Sequence, residues 1–171
     1  MDKRELSLKM SNILRYVTAG LMLLVFVSWA LPCFTYSNVT EKEVQDTISL
    51  WGFLGLTKNY PQMQALLGIK YVKLATINVS IVMLVTGVLG ILACVFKKGI
   101  GTAILPLIFS AYGLIGYFTS DFLKMINHSS TYIIHIVLTA LTLVAVLISI
   151  YFFIVEIITR PEDYYLPKLG I

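Results

Sequence analysis

Two ionisable side chains stand out because they lie in or beside a long apolar segment near the carboxyl end of the chain. His135 lies near the start of this segment and Glu156 follows its end, and no Asp, Glu, Lys or Arg occurs from Met125 to Val155. Ionisable groups within a membrane commonly mark paths for protons or ions. One hypothesis is therefore a proton or cation route along a single helix from His135 to Glu156. The hydroxyl side chains on this route would be Thr139, Thr142 and Ser149.

A structural interpretation explains the same residues and is favoured. Glu156 precedes Arg160 by four positions, the favourable order for an ion pair on a helix near the cytoplasmic surface. His135 could reach lipid headgroups or Asp121, and no titratable residue lies at mid-depth, where a proton relay normally has one. Asn78, on another apolar segment, could bond a partner subunit or lie at headgroup depth. Both interpretations of His135 and Glu156 stay open.

Motifs for catalysis are missing from the sequence. It contains no Gly-rich phosphate loop, no H-E-x-x-H or G-x-S-x-G motif, and no clustered Cys and His ligands. Cys33 and Cys94 are expected near opposite faces of a bilayer, too far apart for a disulfide. We therefore predict a protein that is not an enzyme and that binds no cofactor or metal. The net charge of +4 is explained by cations that face anionic lipids, so nucleic-acid binding is not predicted.

The elements that must position these residues follow from composition. The chain has 171 residues, of which 58% are apolar and 13% charged, whereas soluble domains have about 45–50% and about 25%. Four windows without charge are each long enough for the roughly 20 residues that cross a bilayer. The predicted spans are Ile13–Leu31, Leu74–Phe96, Ile100–Phe118 and Tyr132–Ile158. We predict an all-α integral membrane protein, one domain over residues 1–171, folded as an up-down-up-down four-helix bundle.

The distribution of Lys and Arg predicts the orientation. The amino-terminal segment, the Lys97-Lys98 link and the tail of residues 159–171 together carry eight of the 13 cations on short stretches. Because Lys and Arg accumulate on the cytoplasmic side, we predict that both termini are cytoplasmic, in a plasma or cytoplasmic membrane. An alternative is that the first span, which ends near Ser28-Trp29-Ala30, is a cleaved secretory signal.

Residues 32–73 form the predicted outer loop. Strand-forming residues over Phe34–Thr40 and Thr47–Leu54 favour a short β-hairpin. Asn59 and Pro61 favour the start of an interfacial helix over Pro61–Tyr71. The loop also contains Asn38 in a glycosylation pattern, Asn-Val-Thr.

Aromatic residues of this loop are the candidates for contact with another protein. Trp51 and Phe53 are the interaction candidates, and anchoring in the membrane interface is the favoured alternative for Trp51 and for Trp29.

Small and hydroxyl residues recur at helical spacing within the predicted spans. On the second span, for example, they fall within roughly an 80° arc. Small residues let helix backbones approach and hydroxyls bond across the contact, so these faces are predicted to pack against protein. The predicted packing residues are Thr76, Ser80, Gly87, Gly90, Ser110, Gly113, Gly116, Thr139, Thr142 and Ser149.

These observations favour a non-catalytic small membrane protein, an accessory or scaffolding module. Its partners would be the lipid bilayer and another membrane protein or a second copy of the chain. The alternative is a subunit of an oligomeric transporter or channel for protons, cations or small solutes.

Overall fold

The computed structural model describes residues 3–37, 45–53, 70–96, 99–119, 127–128 and 130–158. Its helices, in chain order, are α1 (Lys3–Ser28), α2 (Leu50–Phe53), α3 (Lys70–Phe96), α4 (Gly101–Thr119) and α5 (Ser130–Ile158). Its strands are β1 (Pro32–Ser37), β2 (Gln45–Ser49) and β3 (Asn127–His128). The predictions for Asn38, for the tail and for most of Pro61–Tyr71 lie outside the described residues, and Lys70 and Tyr71 begin α3.

Four helices of the described part are long and apolar enough to cross a membrane, as predicted. The qualifying segments are Glu5–Ser28, Asn78–Phe96, Gly101–Phe118 and Tyr132–Val155. The first span was predicted over Ile13–Leu31, whereas the helix that contains it, α1, begins at Lys3 and ends at Ser28. The helix continues through the polar amino-terminal segment because that segment also packs on α5. There Ser7 is buried, and its hydroxyl donates to the carbonyl of Phe152 over 2.8 Å.

Each long helix packs beside two others. α1 lies against α5 and α3, and α4 lies against α3 and α5. The start of α1 meets the end of α5 at Ser7, and the end of α1 meets the start of α5 where Ser28 bonds His135. In the same way, Gly101 at the start of α4 approaches Ala93 near the end of α3. The two α1–α5 contacts lie at opposite ends of the bundle.

The turn at Gly99, just before α4, requires glycine. Gly99 has a φ of 53°, a backbone conformation that other residues rarely adopt. Within α4, Pro106 has no N–H to donate to the carbonyl of Thr102. The Thr102 hydroxyl does not compensate, since it donates to the carbonyl of Gly99 at 2.8 Å. The thiol of Cys94 on α3 instead donates to the Thr102 carbonyl at 3.8 Å.

A small antiparallel sheet joins the loops at the other end of the bundle. Its strand order is β2-β1-β3, with Thr35 opposite Thr47 on one side and Asn127 on the other. The segment predicted as a second strand, Thr47–Leu54, is a strand only up to Ser49, because Leu50 and Trp51 turn into α2 and pack on the bundle. β3 was not predicted, since two residues carry no periodicity to detect.

Candidate functional site

His135 is fully enclosed between α1 and α5. Its side chain has 0% exposure, and its Nδ1 lies 2.7 Å from the hydroxyl oxygen of Ser28. The contact with lipid headgroups that we considered for His135 is therefore wrong, because protein encloses its ring. The alternative partner, Asp121, lies outside the described residues. The sequence placed His135 on the polar face of its helix but gave no sign of Ser28 as its partner.

The hydrogen bonds of Ser28 determine the state of the imidazole. The Ser28 hydroxyl donates its single hydrogen to the carbonyl of Val25 at 2.7 Å. Because that hydrogen is used, Nδ1 of His135 must donate to the Ser28 oxygen. In the neutral imidazole Nε2 is then an acceptor, and it is buried without a partner in the described part of the chain. The ring thus offers one unused lone pair to the bundle interior.

Aromatic side chains close the bundle above His135. The indole of Trp29 is fully buried and donates to the hydroxyl of Tyr117 at 3.3 Å, while the Tyr132 hydroxyl donates to the Tyr117 carbonyl at 2.9 Å. The favoured interpretation of Trp29 as an interfacial anchor is therefore wrong. The chain turns back over the bundle directly after α1 and encloses this indole.

Trp51 is half-buried and attached to the end of α1. Its Nε1 donates to the carbonyl of Phe26 at 2.9 Å, and its ring lies 5.3 Å from that of Trp29. The last carbonyls of a helix lack partners within the helix, so this indole caps α1 from outside. Neither interpretation of Trp51 anticipated this contact. Phe53 lies in α2, and its side chain is outside the described set.

A second group of buried polar atoms lies on α1. Arg15 is 8% exposed, and its Nε and Nη2 have no hydrogen-bond partner within the described residues. Thr18, one turn further along the same face, is 2% exposed and its Oγ1 is also without a partner there. The guanidinium carbon lies 4.7 Å from the centre of the Tyr16 ring. The helical spacing of Arg15, Ala19 and Phe26 indicates a weaker packing face on the first span, and all three side chains are buried.

The hydroxyls of the proposed route bond to their own helix. Thr139 donates to the carbonyl of His135 at 2.7 Å, and Thr142 donates to that of Leu138 at 2.8 Å. On α4, Ser110 likewise donates to the carbonyl of Pro106 at 2.7 Å. All three of these hydroxyl side chains are buried. Their donated hydrogens are therefore already used locally, so a proton passed along α5 would first have to break these bonds.

The predicted glycines lie where side chains of other helices press on the backbone. A Cβ at Gly87 would collide with the rings of Phe26 and Phe109, and one at Gly116 would collide with Val79. At Gly113 it would lie 2.6 Å from the terminal carbon of Met83, and at Gly90 it would lie 3.4 Å from Met22. Helix-to-helix contact at these positions thus depends on the missing side chain.

The remaining predicted residues have different surroundings. Ser80 is buried, Asn78 is exposed and Ser149 is half-buried. Thr76 and Glu156 lie in α3 and α5, but their side chains are outside the described set. The predicted pairing of Glu156 with Arg160 therefore lies outside the described residues.

A small cavity opens near the α3–α4 turn. It measures ≈ 20 Å³ and is lined by residues from three helices, among them Ser11, Thr102 and Ser149, together with Gly99 of the turn. This is about the space that one water molecule needs. Among the described residues, no three His, Cys, Asp or Glu side chains come together in a way that could hold a metal ion.

Comparisons with protein families, with curated proteins and with solved structures give no match to this chain.

Proposed function

We propose that this protein is a non-catalytic membrane module that binds or scaffolds another membrane component through its helix surfaces and outer loop. The observation that carries the proposal is the filled interior of the bundle. Met22, Phe109 and Met83, from α1, α4 and α3, are all fully buried and belong to one apolar cluster. This packed interior favours a function at the surface of the protein.

The proposed arrangement places the four helices across a bilayer in up-down-up-down order. The meeting of Ser7 with Phe152, and of Ser28 with His135, supports opposite directions for α1 and α5. Large apolar side chains on all four helices are exposed, for example Val85, Ile115 and Val144, as a lipid-facing surface requires. The excess of Lys and Arg on short segments supports cytoplasmic termini and a plasma or cytoplasmic membrane.

Photocrosslinking in intact membranes tests the proposed interaction. A photoreactive amino acid replaces Val85 or Val144, which are about half exposed, and Val146, which is 1% exposed, serves as the interior control. We expect an exposed position to give an adduct with a second, distinct protein, whereas Val146 gives only crosslinks within the chain. The absence of an intermolecular adduct from every exposed helix face and from the sheet would contradict the proposal.

The alternative function is a subunit of an oligomeric proton or cation transporter. The specific observation that favours it is the unused Nε2 of His135, buried in the bundle beside a polar face. Purified protein in sealed vesicles tests this alternative with a pH-sensitive dye. Two results together would favour the alternative over the proposed function. The proton flux would fall on His135→Ala or Glu156→Gln, and the crosslinking would give adducts only between copies of this chain.

A further inference from the structure

The hydroxyl of Tyr112 is a polar group on the otherwise apolar outer face of α4. Tyr112 is 39% exposed, and its hydroxyl makes no hydrogen bond within the described ranges of the chain. The other large side chains exposed along this helix are Ile104, Ile108, Ile115 and Phe118. Water would satisfy such a hydroxyl at a membrane surface, whereas hydrocarbon would not. Its depth in the proposed membrane arrangement therefore decides what it can bond.

Tyr112 lies near the middle of the α4 span. Within Gly101–Phe118 it is 11 positions from the first residue and six from the last, about 17 Å and about 9 Å along the axis. Because long side chains on a helix point back towards its amino terminus, the hydroxyl leans towards Gly101 and reaches mid-depth. The neighbouring helix agrees with this depth. A Cβ on Gly113 would lie 3.3 Å from Thr139, which is about 10 Å into the span that begins α5.

The other exposed tyrosines of the described helices lie closer to the predicted inner surface. Tyr16 begins the charge-free part of α1, and Tyr151 adjoins Phe152, whose carbonyl accepts a hydrogen bond from Ser7 in the amino-terminal segment. Tyrosines at such positions form the aromatic belt of a membrane protein, with their hydroxyls in contact with water. Tyr112 lies too deep for this role. Because an unbonded hydroxyl in hydrocarbon is strongly unfavourable, it indicates a second protein surface against α4.

The outer face of α4 has the residue spacing of a helix pair. Five of its residues follow one another at intervals of four, three, four and three positions, namely Ile104, Ile108, Ala111, Ile115 and Phe118. This 3.5-residue repeat keeps one seam against a neighbouring helix in a left-handed pair. Ala111 is half-buried at the middle of the seam, and its small side chain lets two backbones approach beside Tyr112.

A second copy of the chain is the partner that fits this surface. All copies insert into a membrane in the same direction, so a two-fold axis along the membrane normal places two α4 helices side by side and parallel. Each residue of the seam then lies at the depth of its own copy, and the two Tyr112 hydroxyls meet. A tyrosine hydroxyl both donates and accepts, so one copy donates to the other. The exposed polar group is therefore complementary to itself.

We propose that α4 forms a parallel homodimer in the membrane, stabilised by the seam from Ile104 to Phe118 and by a hydrogen bond between the two Tyr112 hydroxyls. The dimer rests on the proposed membrane arrangement. It goes beyond the proposed scaffolding function, because it needs no distinct protein. It also leaves the exposed face of α5, which includes Val144, for such a protein.

The test measures the equilibrium between monomer and dimer in liposomes by energy transfer between labelled copies. Both native cysteines are replaced by serine, and Gln45→Cys on β2 carries a donor or an acceptor dye. We expect transfer to fall as the lipid-to-protein ratio rises. Tyr112→Phe removes only the hydroxyl and should weaken dimerisation about three- to tenfold. Tyr151→Phe, which removes a hydroxyl from the exposed face of α5, should leave the affinity unchanged.

Photocrosslinking of the purified protein in the same liposomes locates the contact. A photoreactive amino acid at Ile108 should give adducts of two copies, whereas one at Val144 should not. The proposal is overturned if the parent protein is monomeric at every ratio, if Tyr112→Phe dimerises as strongly as the parent, or if Val144 rather than Ile108 joins two copies. Failure of the scaffolding function would instead be the loss of adducts with a distinct protein in intact membranes, so the two failures are distinguishable.

Discussion

The pairing of His135 with Ser28 is a contact between residues 107 positions apart. Both groups are buried, and each depends on the other, because the Ser28 hydrogen already goes to Val25 and its oxygen is the acceptor for Nδ1. Removing one partner of a buried hydrogen bond leaves the other unsatisfied, whereas removing both is much less unfavourable. The pair therefore fixes the rotation of the imidazole and the register of α1 against α5.

A double-mutant cycle on this pair tests that dependence. We expect Ser28→Ala and His135→Phe each to lower the free energy of unfolding by about 1–3 kcal/mol, since each leaves a buried polar group without its partner. The double variant should lose clearly less than the sum of the two. Tm in detergent is the measurement, at about 2–4 °C per kcal/mol for a chain of this size. Ser110→Ala is the control, because the Ser110 hydroxyl bonds only to its own helix. Its loss of Tm should therefore simply add to the loss caused by His135→Phe.

The sequence predicted part of this polar interior and missed the rest for a physical reason. The helical period of α5 was enough to place His135, Thr139 and Thr142 on one face. The partner of His135 depends on how α1 slides along α5, and no local pattern encodes that register. The enclosure of the Arg15 guanidinium was not predicted, because a basic residue near the start of a span ordinarily reaches the membrane surface.

Among the helices, close approach depends on a few glycines. The contact between α3 and α4 brings Gly116 against Val79, and the contact of α3 with α1 and α4 brings Gly87 against Phe26 and Phe109. Branched and aromatic side chains cannot bend away as a methionine can. Gly113 differs for this reason, since it faces the flexible end of Met83. The tolerance of each glycine to a methyl group should therefore follow the stiffness of its neighbour.

Alanine substitution of these glycines gives a graded prediction. Gly116→Ala and Gly87→Ala should each destabilise the protein by about 1–3 kcal/mol, because the added methyl forces Val79 or two phenylalanine rings to move. Gly113→Ala should be less harmful. Gly20→Ala is the matched control: Gly20 is exposed and has no atom within 4 Å of the added methyl, so better helix propensity should leave Tm unchanged or raise it. Equal Tm values for Gly116→Ala and Gly20→Ala would contradict the close α3–α4 contact.

The four long helices were predictable because length and apolarity are local properties of the sequence. The structure of the loops was less predictable. The indole of Trp51 caps α1 through the carbonyl of Phe26, and β3 consists of two residues that pair with Phe34 and Thr35. Both features depend on chain segments that meet only after the bundle has formed. Strand propensity over Thr47–Leu54 gave way at Leu50, where burial against the bundle favours a helical turn.

The molecule as a whole has two different ends. At one end α1 and α5 meet at Ser7 and Phe152, and at the other the sheet joins the loops that follow α1 and α4. α1 and α5 have 26 and 29 residues, against 19 in α4. The end with Ser7 belongs to the segments rich in Lys and Arg, which is why we propose it as the cytoplasmic end.

Cysteine labelling in intact cells tests this orientation. Both native cysteines are first replaced by serine, and the serine at position 94 keeps a donor for the Thr102 carbonyl. A single cysteine then replaces either Lys9, which lies near Ser7, or Gln45, which begins β2. A membrane-impermeant maleimide should label Gln45→Cys in intact cells and Lys9→Cys only after the membrane is opened, because the cations hold the Lys9 end inside. Gly20→Cys, at an exposed position within α1, should resist the reagent in both cases, because the proposed arrangement surrounds this position with lipid. Labelling of Lys9→Cys in intact cells, with Gln45→Cys protected, would reverse the proposed orientation.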